Sequence, residues 1–283
     1  MKKLSILLLS VCFFFSVVHL EAQAPRNFLD EALSRMDTAF AQQEATPIDA
    51  YYLGRAVAAN ILAAYKPYTG NPALTRYLNL ICQTIVINSA FPDLFNGYHV
   101  MILDSPEFNA FATPSGHIFI TRGLVELTTS EDMLAALIAH ELAHIMLKHG
   151  LSIIDDMRLL DEMSAAADSA TRLAGNTQAA ARFTYFRNSI GAALDAIVKS
   201  GFSQDQEFDA DEGAIVLLAA SGYNPAGLLE MLRVLQRVQT SQRGGFNVTH
   251  PSPAQRLDHA QRIAAQFQIR DTASSRASRF LNK

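Results

Sequence analysis

Two histidines and a glutamate within five consecutive residues, His140-Glu141-Leu142-Ala143-His144, carry the densest chemistry in the chain. Positions four apart share one face of a helix, so both imidazoles can reach a single ion. Glu141 stands beside them, placed to take a proton from a water that the metal activates rather than to ligate. The flanks, Met133-Leu134-Ala135-Ala136-Leu137-Ile138-Ala139 and Ile145-Met146-Leu147, are wholly apolar. Such a helix must be buried nearly all round, and two histidines and a carboxylate within it are costly unless something pairs with them. A metal ion meets that need, and zinc in an open hydrolytic site takes three protein ligands.

The third ligand must come from elsewhere. A metzincin pattern requires glycine at 147 and histidine at 150, where the chain has Leu147 and Gly150, so that class is excluded. The other candidate segment is Gln206-Glu207-Phe208-Asp209-Ala210-Asp211-Glu212-Gly213-Ala214. Glu207 and Asp211 are four apart on a helix, so one can bind metal while the other orients a ligand histidine through its second ring nitrogen. Glu207 is the ligand we assign and Asp211 the orienting acid, with Asp209 a rival that spacing alone leaves open.

The elements that must position these groups follow from periodicity and punctuation. Apolar residues recur at helical spacing over 26–66 and 71–90, separated by Gly70-Asn71-Pro72. The segments 98–103, 108–112 and 118–121 favour strands, the last two flanking Thr113-Pro114-Ser115-Gly116, which predicts a small hairpin-bearing sheet. The helix carrying the histidine pair is expected to start at Ser130-Glu131-Asp132, a cap followed by an acidic first turn, and to run through His149 to Gly150. His149 then faces away from the pair into solvent. Further helices are expected over about 155–199, 207–220 and 225–243, with a frayed polar tail beyond Gln268.

The 283 residues are 49% apolar and 18% charged, enough for a sizeable core. A net charge of −4 gives no general attraction to nucleic acid or anionic lipid. The opening Met1-Lys2-Lys3 and the apolar run over 4–20 read as a secretory signal, cut after Ala22, in preference to a retained anchor or a lipidated Cys12. With the signal removed only Cys82 remains, so an internal disulfide is ruled out, and Cys82 reads as a buried small hydrophobe. His99, His117 and His259 lack ligand-like spacing, and Phe183, Tyr185 and Phe186 read as core.

Taken in order, the histidine pair, Glu207 with Asp211, and Thr249-His250-Pro251 with Arg256 resemble the M48 peptidases. So does the earlier stretch Phe108-Asn109-Ala110-Phe111-Ala112, with Gly116 and Thr121-Arg122-Gly123-Leu124. The resemblance spans roughly 70–265. It implies an α+β, mainly α-helical, gluzincin-type domain with a small sheet beside the active-site helix, holding one Zn²⁺ per chain. It also implies that Asn109, Ala110, Phe111 and Ala112 form an edge strand that binds an extended polypeptide, and that His250 and Arg256 lie near the metal and assist catalysis beside Glu141.

The organisation expected is a signal over 1–22, an N-terminal helical segment over 23–69 packed on the peptidase domain, that domain over 70–268, and a flexible polar tail over 269–283. The function expected is a zinc-dependent endopeptidase for misfolded or unassembled exported proteins, of the compact periplasmic type without a repeat module. Peripheral membrane association is compatible with this reading, whereas a nucleic-acid partner or a prenylated substrate is not expected. A second reading is a gated or inactive chaperone-like protein in which His250 occupies the metal.

Overall fold

A computed structural model describes residues 47–94, 96–152, 201–238, 250, 253–267 and 273–281. In chain order these form helices α1 (Pro47–Ala64) and α2 (Pro72–Ile87), then strands β1 (His99–Leu103), β2 (Ala110–Ala112) and β3 (His117–Thr121). Helices α3 (Arg122–Glu126), α4 (Glu131–Met146), α5 (Gln204–Ala220), α6 (Ala226–Val238), α7 (Pro253–Ala264) and α8 (Ala273–Leu281) follow. The expected helix over 155–199 and the aromatic residues within it lie outside the described residues.

Three layers result from the alternation of side chains along the strands. Val100, Ile102, Ala110, Ala112, Ile118 and Ile120 face the main core with α2 and α4. The intervening Leu103, Phe111 and Phe119 face the opposite way, where Leu53, Val57 and Ile61 of α1 cover them. Those three recur every fourth residue, so α1 needs only one apolar stripe to seal the sheet.

The sheet order is β1-β3-β2, with β1 parallel to β3 and β2 antiparallel to it. The β2–β3 turn closes at Gly116, whose φ of 85° and 2.4 Å approach of a notional Cβ to the Gly97 carbonyl oxygen both require glycine. Among the described residues β2 is an edge strand.

Helix α4 runs through the centre of the core. Ser130 caps it by accepting a hydrogen bond from the Met133 N–H, and Glu131 and Asp132 occupy its acidic first turn. Its far end corrects the expectation from sequence: the helix stops at Met146, and Lys148 adopts a left-handed φ of 56°. The chain turns there and a new helical turn begins at His149.

Helix α5 begins earlier than periodicity suggests, at Gln204, because Ser203 and Gln206 form a reciprocal capping box. It crosses α4 closely: a Cβ on Gly213 would stand 2.9 Å from the Ala143 Cβ. The short helix α3, between β3 and α4, was not anticipated.

The polar tail also differs from expectation. Residues 273–281 form α8, which docks on the start of α4: Arg279 makes a bidentate pair with the buried Glu131, and Arg276 Nε lies 3.1 Å from Asp132. A short run of serines and two arginines reads as a solvated tail, and only the partner acids on α4 reveal its role. Among the described residues no helix is long and apolar enough to cross a membrane.

Candidate metal centre

Helical spacing on α4 presents His140 and His144 on one face, with Nε2 atoms 3.1 Å apart. The α4–α5 crossing brings Glu207 to the same point, its carboxylate oxygens 3.5 Å from each of those nitrogens. His250, from just before α7, adds its Nδ1 at 3.4 Å from His140 Nε2 and 2.7 Å from Glu207 Oε1. All four residues are buried, and their donor atoms lie within 4.8 Å of one another. They are the one group of this kind among the described residues.

These separations test whether a metal fits. Zinc–nitrogen and zinc–oxygen bonds of about 2.0–2.2 Å in tetrahedral geometry imply donor–donor distances of roughly 3.3–3.6 Å. The His140, His144 and Glu207 distances, 3.1, 3.5 and 3.5 Å, are close to that range. Both carboxylate oxygens of Glu141 are buried without a hydrogen-bond partner, and Oε1 lies 3.7 Å from His250 Nε2. Buried carboxylates are rarely left unpaired, so Glu141 fits a group kept for reacting species. The donor set and the unpaired base both suit a catalytic cation.

Asp211 and Arg256 support the donors from behind. Asp211 Oδ1 stands 3.1 Å from His140 Nδ1, where it can accept that ring's second N–H. Arg256 grips Asp211 with two hydrogen bonds, 2.8 Å from Nε and 2.6 Å from Nη2, and its Nη1 lies 2.7 Å from Glu207 Oε2. Asp209, the rival ligand, is solvent-exposed on α5.

Electrostatics separate the acids. Burial pushes the Glu141 carboxyl up, and this prevails over the opposing influence of His250 and His140. Burial also acts on Glu207, but His250 and Arg256 outweigh it and hold that carboxyl well below its usual range. Asp211 is likewise held low, by Arg256 against burial. For His140, burial and the Arg256 charge press downward, while hydrogen bonds with Asp211 and Glu207 prevail and lift it to about 9. One acid is therefore tuned toward taking protons and two toward staying ionised.

The candidate substrate strand lies against this centre. The Thr121 N–H donates to the Asn109 carbonyl at 3.0 Å and the Thr113 N–H to the His117 carbonyl at 2.9 Å. That phase turns the backbone groups of Phe111 toward β3 and those of Ala110 and Ala112 outward. The Asn109 side chain accepts the Ala110 N–H at 3.0 Å, leaving Ala112 as the outward donor. Ala112 borders a small cleft shared with Thr113, Pro114, His144, Ile145 and Phe202.

Two residues at the centre were not anticipated. His149 is buried, 6% exposed rather than solvated, with its Nδ1 2.9 Å from His144 Nδ1. Phe202 stacks on the His144 ring at 4.0 Å and 19°. A continuous helix through residue 149 would carry His149 away, and the turn at Lys148 brings it back. Its histidine identity so near the pair was the available signal, whereas Phe202 offered none.

A buried helix-borne histidine pair with an intervening unpaired glutamate, completed by a glutamate from a second helix, defines the layout of a gluzincin metallopeptidase domain. The chain belongs to peptidase family M48, whose profile matches residues 72–264. It is 26% identical over 216 residues to the beta-barrel assembly-enhancing protease of Yersinia pestis, covering 76% of this chain and 44% of that protein. It is 28% identical over 190 residues to the metalloprotease LoiP of Escherichia coli (strain K12), covering 66% and 71% respectively. With the mitochondrial metalloendopeptidase OMA1 of Schizosaccharomyces pombe it shares 25% over 216 residues, 76% of this chain and 58% of that protein. The chain spans less than half the length of the beta-barrel assembly-enhancing proteases of Yersinia pestis and Escherichia coli.

Proposed function

We propose that the protein is a zinc-dependent endopeptidase that hydrolyses exported polypeptides, misfolded or unassembled envelope proteins above all. The observation that carries this reading is the convergence of His140, His144 and Glu207 donor atoms beside a buried Glu141 whose oxygens accept no hydrogen bond. Zinc bound there supplies Lewis-acid polarisation of the scissile carbonyl and acidification of water.

The protein's own residues do the rest. Glu141 takes a proton from the attacking water and delivers it to the leaving amine, a role that its raised pKa favours. Asp211 fixes the His140 ring through Nδ1, and Arg256 holds Asp211 and Glu207 ionised and in place. The outward groups of β2 bind an extended chain by backbone hydrogen bonds, which gives affinity with little dependence on sequence. The envelope assignment draws on the signal-like start of the sequence and on the similarity to proteins named as beta-barrel assembly-enhancing proteases.

The test is the Glu141→Gln variant assayed on an unfolded envelope protein. Zinc content equal to the unaltered protein with cleavage abolished is expected, and a chelator should inactivate the unaltered protein. Full cleavage by the variant removes the proton-transfer role from Glu141.

A second reading, a gated or chaperone-like protein, draws on the place of His250 among the donors, 3.4 Å from His140 Nε2. Removing it by His250→Ala raises proteolysis if His250 blocks the centre and lowers it if His250 steadies the transition state.

A further inference from the structure

The His144 imidazole has two nitrogens in different surroundings. Nε2 points into the centre, 3.1 Å from His140 Nε2 and 3.5 Å from Glu207 Oε1. Nδ1 points the other way, 2.9 Å from Nδ1 of His149, with the two rings inclined at 72°. A neutral imidazole that lends the Nε2 lone pair to a metal carries its proton on Nδ1, so Nδ1 becomes a donor in need of an acceptor. His149 meets that need if its own proton sits on Nε2.

The same arrangement serves the other histidine, whose Nδ1 faces Asp211 Oδ1 at 3.1 Å. One donor ring is thus backed by a carboxylate and the other by an imidazole. The turn that delivers His149 uses a left-handed non-glycine residue, Lys148 at φ 56°, a conformation that surrounding structure must hold in place. Phe202, stacked on one face of His144 at 4.0 Å, opposes tilting of the ring about Cβ–Cγ but does not select its tautomer. A hydrogen bond at Nδ1 does.

We infer that His149 is a positioning residue of the metal centre, accepting the Nδ1–H of His144 so as to fix its tautomer and aim Nε2 at the cation. This rests on the ligand assignment proposed above. A merely packed histidine would be replaceable by any side chain of similar bulk; a hydrogen-bond acceptor is replaceable only by another acceptor. The asparagine introduced by His149→Asn would place its amide oxygen near the position of the lost Nδ1, whereas the leucine introduced by His149→Leu fills space without accepting.

The experiment is zinc affinity, measured by competition with a chromophoric chelator, for the full chain and its His149→Asn and His149→Leu variants. Loss of hydrogen bonds to metal ligands typically weakens binding about 10- to 100-fold, so that loss is expected for His149→Leu, with His149→Asn close to the unaltered protein. Equal affinity in all three, or equal loss in both variants, overturns the inference. In case His149→Leu does not fold, the zinc-loaded unaltered protein with ¹⁵N-labelled histidine gives a direct reading. A nitrogen–nitrogen coupling across the His144–His149 hydrogen bond is expected, and its absence overturns the proposal. Failure of the unaltered protein to bind zinc instead removes the ligand assignment, and this inference with it.

Discussion

Arg256 and Asp211 form a bidentate ion pair that is wholly buried, with Nε–Oδ2 and Nη2–Oδ1 distances of 2.8 and 2.6 Å. The same guanidinium reaches Glu207, so one cation pairs with two acids that share helix α5. Without it, both buried carboxylates would lose their arginine partner.

Arg256→Ala should therefore destabilise the metal-free protein by about 3–5 kcal/mol, because it strands buried carboxylates. Arg256→Lys should recover only part of this, since an ammonium lacks the fork that grips both Asp211 oxygens. Urea unfolding with unchanged m-values checks both, and a loss in Arg256→Ala no larger than for an exposed arginine would contradict the pairing.

Acid titration of the metal-free protein should reveal two opposing effects. The Glu141 carboxyl is raised in the fold, so keeping it ionised costs stability, and that cost is relieved as pH falls through its elevated pKa. Asp211 and Glu207 are lowered, so their contribution is full above the ordinary carboxylate range and is lost as pH falls below it. The buried histidines add to both sides, since His140 is raised while His144 and His149 are lowered, so each carboxylate is read from its own variant. Relative to the unaltered protein, denaturant titrations across pH should show Glu141→Gln lose the gain that acidification gives Glu141, and the fall below the ordinary carboxylate range become shallower in Asp211→Asn.

Gly213 sets how closely α5 approaches the histidine helix. Gly213→Ala places a Cβ 2.9 Å from that of Ala143, an overpacking expected to cost about 1–3 kcal/mol and to move Glu207 relative to His140 and His144. Zinc affinity should fall with it. Ala143→Gly in the same chain opens the facing position and should restore affinity despite its own helix cost of about 1 kcal/mol. Thermal unfolding and zinc competition on the two single variants and the double variant check the coupling, which additive losses would exclude.

Ala112→Pro tests the edge strand. Proline is tolerated where the lost N–H faces away from the sheet, so the fold should survive. One backbone hydrogen bond to substrate is lost, worth about 0.5–1.5 kcal/mol, or roughly 2- to 12-fold in kcat/KM for an unfolded polypeptide. Unchanged kinetics would place the substrate elsewhere.

How far the sequence reached depends on whether the deciding interaction is local. The four-residue spacing of His140 and His144 is set by helix geometry alone, as is the Ser130 cap, and both stand in the structure as read. The segments 108–112 and 118–121 likewise stand as neighbouring strands, and the pleat puts Phe111 and Phe119 on the opposite face from Ala110 and Ile118. Tertiary structure decided the rest. The left-handed turn at Lys148 has no glycine to announce it, and it converts His149 from a solvated end into a neighbour of His144. Arg256 meets Asp211 across 45 positions, and Arg279 meets Glu131 across 148, so neither pairing leaves a periodic trace. Spacing along one helix is written by the rise and twist of the backbone, whereas contacts between distant segments arise only when burial of apolar faces chooses which surfaces meet.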